Sequence, residues 1–197
     1  MLRKIPGPID LILPNSNHRH LSAMPLSPEL ITTIVNQLAI NPRGLHGLSH
    51  WARVYANGLR LAAQTGADPR VVELFALFHD SRRINEDADP EHGPRGALLA
   101  EQLRGRLVDL DDAAFARLLT ACRLHTGAPT HEDITVQTCF DADRLDLARI
   151  GKTVDPQRLC TEAAKAPEMI AWASGQSTQG SVPDNILGRT LHTRNRR

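Results

Sequence analysis

His50, His79, Asp80 and Asp143 stand in the order H…HD…D along this 197-residue chain. Imidazole nitrogens mixed with carboxylate oxygens suit a divalent transition ion such as Mn, Fe, Co, Ni or Zn, whereas Ca²⁺ and Mg²⁺ favour all-oxygen shells. The adjacent pair is the informative part. It closes the run Val71 to Phe78, which is too apolar to be anything but a buried helix. An unpaired buried carboxylate costs several kcal/mol or shifts its pKa until it is neutral, so His79-Asp80 needs a metal, a charge partner or an exit to solvent. Adjacent helical residues point about 100° apart, which lets the two flank one ion at a helix end.

Asp143 repeats the anomaly. At helical spacing it shares a face with Val136, Cys139, Phe140, Leu147 and Ile150, while Gln137, Asp141 and Arg144 form the opposite, solvent side. Taken alone, it also reads as half of a buried ion pair with an Arg. His125 ends the stripe Phe115, Leu118, Leu119, Cys122, and a lone His there is more often capped or packed than a ligand. His50 heads a polar ridge of His50, Arg53, Asn57 and Arg60, opposite Trp51, Val54 and Tyr55, which taken alone is a solvated face. The joint occurrence is what points to a site, because ligands from several helices are a normal way to build a metal centre in a bundle.

The elements that must position these groups are helical. Apolar spacing predicts helices over 28–40, 49–65, 69–81, 94–108, 112–126, 134–149 and 156–173, the last interrupted at Pro167, with no sustained period-two alternation. Ser27-Pro28, Ser49, Asp68-Pro69 and Asp155-Pro156 are start signals, and Gly66 and Gly127 are stops. The fold class is therefore all-α, a single bundle of about seven helices. Residues 1–25 read as a loosely ordered segment, 26–174 as the helical domain, and 175–197 as a flexible tail without period. The irregular connection 81–93 follows the His-Asp pair and is placed to rim a site.

The net charge of +1 supplies no global field that would recruit a nucleic acid polymer or a membrane surface. Cys122, Cys139 and Cys160 form no CxxC pair, which argues against disulfides and thiolate zinc, and a reducing cytoplasm fits best. No stretch approaches the roughly 20 apolar residues of a membrane span.

Three segments, His50-Trp51-Ala52-Arg53-Val54, Phe78-His79-Asp80 and Asp141-Ala142-Asp143-Arg144-Leu145-Asp146, together resemble the HD-domain superfamily of metal-dependent phosphohydrolases, over about residues 46–150. The resemblance implies an all-α bundle in which His50, His79, Asp80 and Asp143 bind the metal, with Asp141 the alternative register. It also implies hydrolysis of a phosphate ester or anhydride, often of a nucleotide. Some members bind a second metal on further histidines, for which His92 and His125 are the candidates; otherwise either can act as general acid. Arg83 stands where nucleotidase members place a catalytic Glu.

These residues give the expectation of a hydrolase of a small phosphorylated molecule, a nucleotide first of all. Arg53, Arg82 and Arg83 are the candidates to bind its phosphate, since guanidinium groups pair with phosphoryl oxygens. Two rival readings stand beside it. One is a di-iron oxygenase of the HD type using the full set of histidines and aspartates. The other is a nucleotide-sensing protein that keeps the metal as a structural clamp.

Overall fold

The computed structural model describes residues 26–193, and among them it contains helices and no strand. The expected loose segment over residues 1–25 lies outside the described residues, as do 194–197. The helices are α1 (Pro28–Val35), α2 (Leu48–Thr65), α3 (Pro69–Phe78), α4 (His92–Leu103), α5 (Asp112–Leu124), α6 (Ile134–Arg144), the single turn α7 (Glu162–Lys165), α8 (Pro167–Thr178) and α9 (Ile186–Thr193). No helix among the described residues is long and apolar enough to cross a membrane.

Local chemistry explains most boundaries. Ser27 and Asp68 cap α1 and α3 by accepting from Leu30 N and from Arg70 N and Val71 N, with proline in the first turn of each helix. Gly66, at φ +75°, stops α2. The expected helix over 156–173 is divided: Asp155-Pro156 opens only a short 3-10 turn, and Pro167 starts α8 after the α7 turn. The expected helix over 134–149 ends at Arg144 and resumes as a 3-10 turn, Leu147–Ile150.

α2 is the central helix, packed against α3, α6 and α9. Trp51, Ala52 and Val54 are fully buried in the main core with Phe75, Phe78 and Phe140. The ridge opposite, read from sequence as a solvated face, is buried at His50, Arg53 and Asn57. Asn57 donates to the Ala142 carbonyl of α6, His50 meets Asp146, and over Arg53 closes the chain beyond residue 174, expected as a flexible tail. It continues α8 to Thr178 and then lays α9 on α2, with Leu187 buried, Asn185 donating to the Ala52 carbonyl and the Ser181 carbonyl accepting from Arg53.

Two glycines set the approach of α4. A Cβ on Gly96 would lie 2.2 Å from the Phe78 carbonyl oxygen, and one on Gly93 would lie 2.2 Å from that of Cys122. Only hydrogen at these positions lets α4 come close to the C-terminal ends of both α3 and α5.

Candidate metal centre

Five helix ends converge. His50 lies in the first turn of α2, His79 and Asp80 follow the last turn of α3, His92 opens α4, His125 follows α5, and Asp143 sits in the last turn of α6. Three of these are C-terminal ends, where the helix dipole favours a cation.

Each imidazole has its Nδ1 committed to an oxygen that can only accept. His50 Nδ1 donates to Asp146 Oδ2 at 2.7 Å, His79 Nδ1 to the Phe75 carbonyl at 3.2 Å, His125 Nδ1 to the Cys122 carbonyl at 2.8 Å, and His92 Nδ1 to the Asp89 carbonyl. In the neutral ring this places the proton on Nδ1 and leaves a lone pair on Nε2; at His92 the Asp89 carbonyl is the nearer neighbour of Nδ1, ahead of Arg83 Nη1 at 3.2 Å. Those lone pairs face one another in the interior. The Nε2 atoms of His50 and His79 are 3.1 Å apart, and those of His92 and His125 are 2.9 Å apart. Facing lone pairs repel unless a proton or a cation stands between them.

Carboxylates complete both pairs. His50 Nε2 lies 3.5 Å from Asp80 Oδ2 and 3.4 Å from Asp143 Oδ1, and His79 Nε2 lies 3.6 and 4.0 Å from the same two atoms. The other oxygen of Asp80, Oδ1, is 3.2 Å from His92 Nε2. Donors held about 2.0–2.2 Å from one ion are about 3–4 Å from each other, so the spacing and the chemistry of the donors fit a metal. His50, His79 and Asp80 form one group able to hold an ion, and Asp80, His92 and His125 form another. Asp80 belongs to both, one oxygen facing each.

The charges agree with this arrangement. Burial would raise the pKa values of Asp80 and Asp143, but the histidines around them outweigh it and hold both carboxyls well below the usual range. Burial and the Arg149 charge work against protonating His50, yet Asp143, Asp146 and Asp80 raise it to about 9 in the metal-free protein. Burial lowers His79 to about 3.

The sequence-predicted residues divide by location. The six metal-ligand candidates come together. Of Arg53, Arg82 and Arg83, only Arg83 lines the adjoining cavity. Arg53 is buried behind His50 and grips Asp146, Nε to Oδ1 at 2.6 Å and Nη2 to Oδ2 at 3.1 Å. Arg82 donates to the Gln37 carbonyl. Asp141 is not on a solvent side: it is fully buried and accepts from Cys160 N, Thr161 N and Thr161 Oγ1, tying the 159–161 turn to α6.

Two further residues went unassigned from sequence. Asp146 orients His50, and its available signal was its place three residues after Asp143 in the segment Asp141 to Asp146. His46 lines the cavity with its Nδ1 donating to Glu86 Oε2 at 2.6 Å. Its signal was position, one helical turn before His50.

Among known proteins, residues 47–148 match the HD domain family model. No curated protein and no solved structure gives a significant match.

Proposed function

The chain belongs to the HD-domain superfamily of metal-dependent phosphohydrolases, and from that premise we propose that it hydrolyses a small phosphate ester or anhydride with the help of divalent transition metal. The observation that carries the reading is the two pairs of facing Nε2 lone pairs on either side of the Asp80 carboxylate. His50, His79, Asp80 and Asp143 would hold one ion, and Asp80, His92 and His125 a second. Such ions supply Lewis acidity toward a water and a phosphoryl oxygen.

The chain's own groups supply the rest. Arg83 lines the cavity with its Nη1 3.5 Å from Asp80 Oδ1 and its Nη2 donating to the Asp87 carbonyl at 2.7 Å, which holds the guanidinium at the donor cluster, where phosphoryl oxygens would meet it. Arg149, held by the carbonyls of Leu45 and Asp146, faces the same space. With the Nε2 atoms of His92 and His125 committed to the donor cluster, proton handling falls to His46. Burial lowers its pKa against the opposing pull of Glu86, so it rests neutral. Its Nε2 accepts the proton released as water attacks phosphorus and returns it to the leaving oxygen.

The test is elemental mass spectrometry of protein purified without chelator, joined to a phosphate-release screen. The expected result is transition metal bound at up to two ions per chain and metal-dependent release from a small ester. Failure to bind Mn, Fe, Co or Ni after reconstitution would overturn the proposal.

The same bridging position of Asp80 supports a second reading, a di-iron oxygenase. Two irons per chain with oxygen consumption and no phosphate release would favour it.

A further inference from the structure

The cavity beside the two donor clusters has a volume of about 540 Å³, in the range of a small-molecule site. Its charge is lopsided. Among the described residues that line it, the carboxylates are Asp80 and Asp143, both in the donor clusters. The wall built from the end of α6 and the chain after it carries Arg144, Arg149, Lys152 and Arg158. Arg144 is fixed by the carbonyls of Ala128, Pro129 and Arg158. Lys152 and Arg158 are exposed, and among the described residues their side chains engage no carboxylate and no other acceptor.

These two cations are held in place relative to the clusters. Lys152 follows the Leu147–Ile150 turn, which Gly151 ends at φ +74° and which begins just beyond Asp146. Arg158 precedes the turn that Asp141 anchors through Cys160 N at 2.7 Å and Thr161 N at 2.8 Å, and its carbonyl accepts from Arg144 at 2.8 Å. The helix that contributes Asp143 therefore also fixes the cationic wall. Between them the cavity is lined by aliphatic Leu147 and Ile150, and no Phe, Tyr or Trp among the described residues lines it. A nucleobase ordinarily stacks on aromatic rings or guanidinium planes, and outside the donor clusters the one aromatic ring among the described residues that line the cavity is that of His46.

From this juxtaposition we infer that Lys152 and Arg158 form a second anion subsite, and that the substrate is a small aliphatic phosphate carrying another anionic group, a carboxylate or a second phosphate. The inference rests on the phosphohydrolase reading for the role of the clusters, but binding tests it without turnover. A matched pair of phosphonates is the probe: 3-phosphonopropionate and propylphosphonate differ only in a terminal carboxylate, and ester hydrolysis cannot consume either. Calorimetric titration of the Mn²⁺-loaded protein is expected to show 3-phosphonopropionate binding about tenfold tighter, the scale of a charge-assisted contact.

In the double variant Lys152→Met with Arg158→Met the advantage disappears. Both side chains are exposed, so the thermal midpoint of the variant stays that of the parent. Equal affinity for the two phosphonates in the parent, or an advantage that survives the double substitution, overturns the subsite. So does tighter binding of adenosine monophosphate than of 3-phosphonopropionate. A protein that releases phosphate from no ester loses the hydrolase reading, while the calorimetric difference still decides the subsite.

Discussion

His50 Nδ1 and Asp146 Oδ2 lie 2.7 Å apart with both side chains fully buried. Asp146 serves His50 and Arg53 together, and Ser177 of α8 donates to it as well. Burial would raise its pKa, but His50 and Arg53 outweigh that and keep the carboxylate charged. The pair thus fixes the His50 tautomer that turns its Nε2 lone pair toward Asp80 and Asp143. Partners of this kind typically account for about 10–100-fold in metal affinity.

Asp146→Asn keeps the volume and removes the charge. Its expected effect is about a 10–100-fold weaker affinity at the His50 cluster, read by competition with a chromophoric chelator. Stability also falls, because Arg53 is left buried without its counter-charge, a defect that costs about 3–5 kcal/mol when a buried pair is fully broken. Unchanged metal affinity in a folded variant would show that Asp146 is structural only.

The metal-free protein should lose stability as pH rises from about 7.5 to 9. Above about 7.5 the unfolded histidines have released their protons, and the lowered His46, His79 and His92 no longer act in the opposite sense. With His50 raised from 6.5 to about 9, the folded chain in that window holds a proton that the unfolded chain has released. Stability from this group is full below pH 6.5 and is lost as pH approaches 9. The thiols of Cys122 and Cys139, pushed up by burial, act in the same direction toward the alkaline end. Metal ligation needs neutral His50, so the His50 contribution vanishes from the loaded protein, and loading at pH 7 expels about one proton. Urea midpoints with and without chelator, and calorimetry in buffers of different ionisation enthalpy, check both halves. A midpoint that climbs through this window in chelator would mean His50 is neutral there.

Among the described residues, Asp80 is the one carboxylate whose two oxygens face different clusters, Oδ2 toward His50 and Oδ1 toward His92. Substitutions should therefore sort by ion count. His92→Ala or His125→Ala is expected to leave one ion per chain, and Asp80→Ala none. Elemental analysis after gel filtration reads the stoichiometry. Retention of two ions by Asp80→Ala would separate the clusters from that carboxylate.

Much of this arrangement was legible in the sequence because the signals were local. Helical period, Ser27 and Asp68 caps and the His79-Asp80 pair at the end of an apolar run are read within single elements. The misplaced residues depend on contacts between elements far apart in the chain. Arg53 looked free to bind phosphate because its partner, Asp146, is 93 residues away. The ridge of α2 looked solvated because what buries it comes from far along the chain: Ala142 of α6 at Asn57, Asp146 at His50, and Ser181 at Arg53. Asp141 looked exposed on its own helix, whereas the 159–161 turn returns to bury it. Lys152 and Arg158 carried no spacing signal, since they lie in turns whose course is fixed by those same returns.

Gly96→Ala tests whether close helix approach builds the second cluster. In an isolated helix the change would stabilise by up to about 1 kcal/mol. Here the new methyl carbon would meet the Phe78 carbonyl oxygen at 2.2 Å, a backbone atom that cannot rotate aside, and the His79 carbonyl oxygen at 3.4 Å. Overpacking of this kind costs about 1–3 kcal/mol, so the clash outweighs the propensity gain and α4 must move away from α3. His92 lies one turn before Gly96 on that helix and moves with it, carrying its Nε2 away from Asp80 Oδ1, while His50, His79 and Asp143 stand on other helices. The expected result is a variant destabilised by about 1–3 kcal/mol in urea that binds one ion instead of two. A variant as stable as the parent and still carrying two ions would show that α4 has slack to shift without disturbing His92.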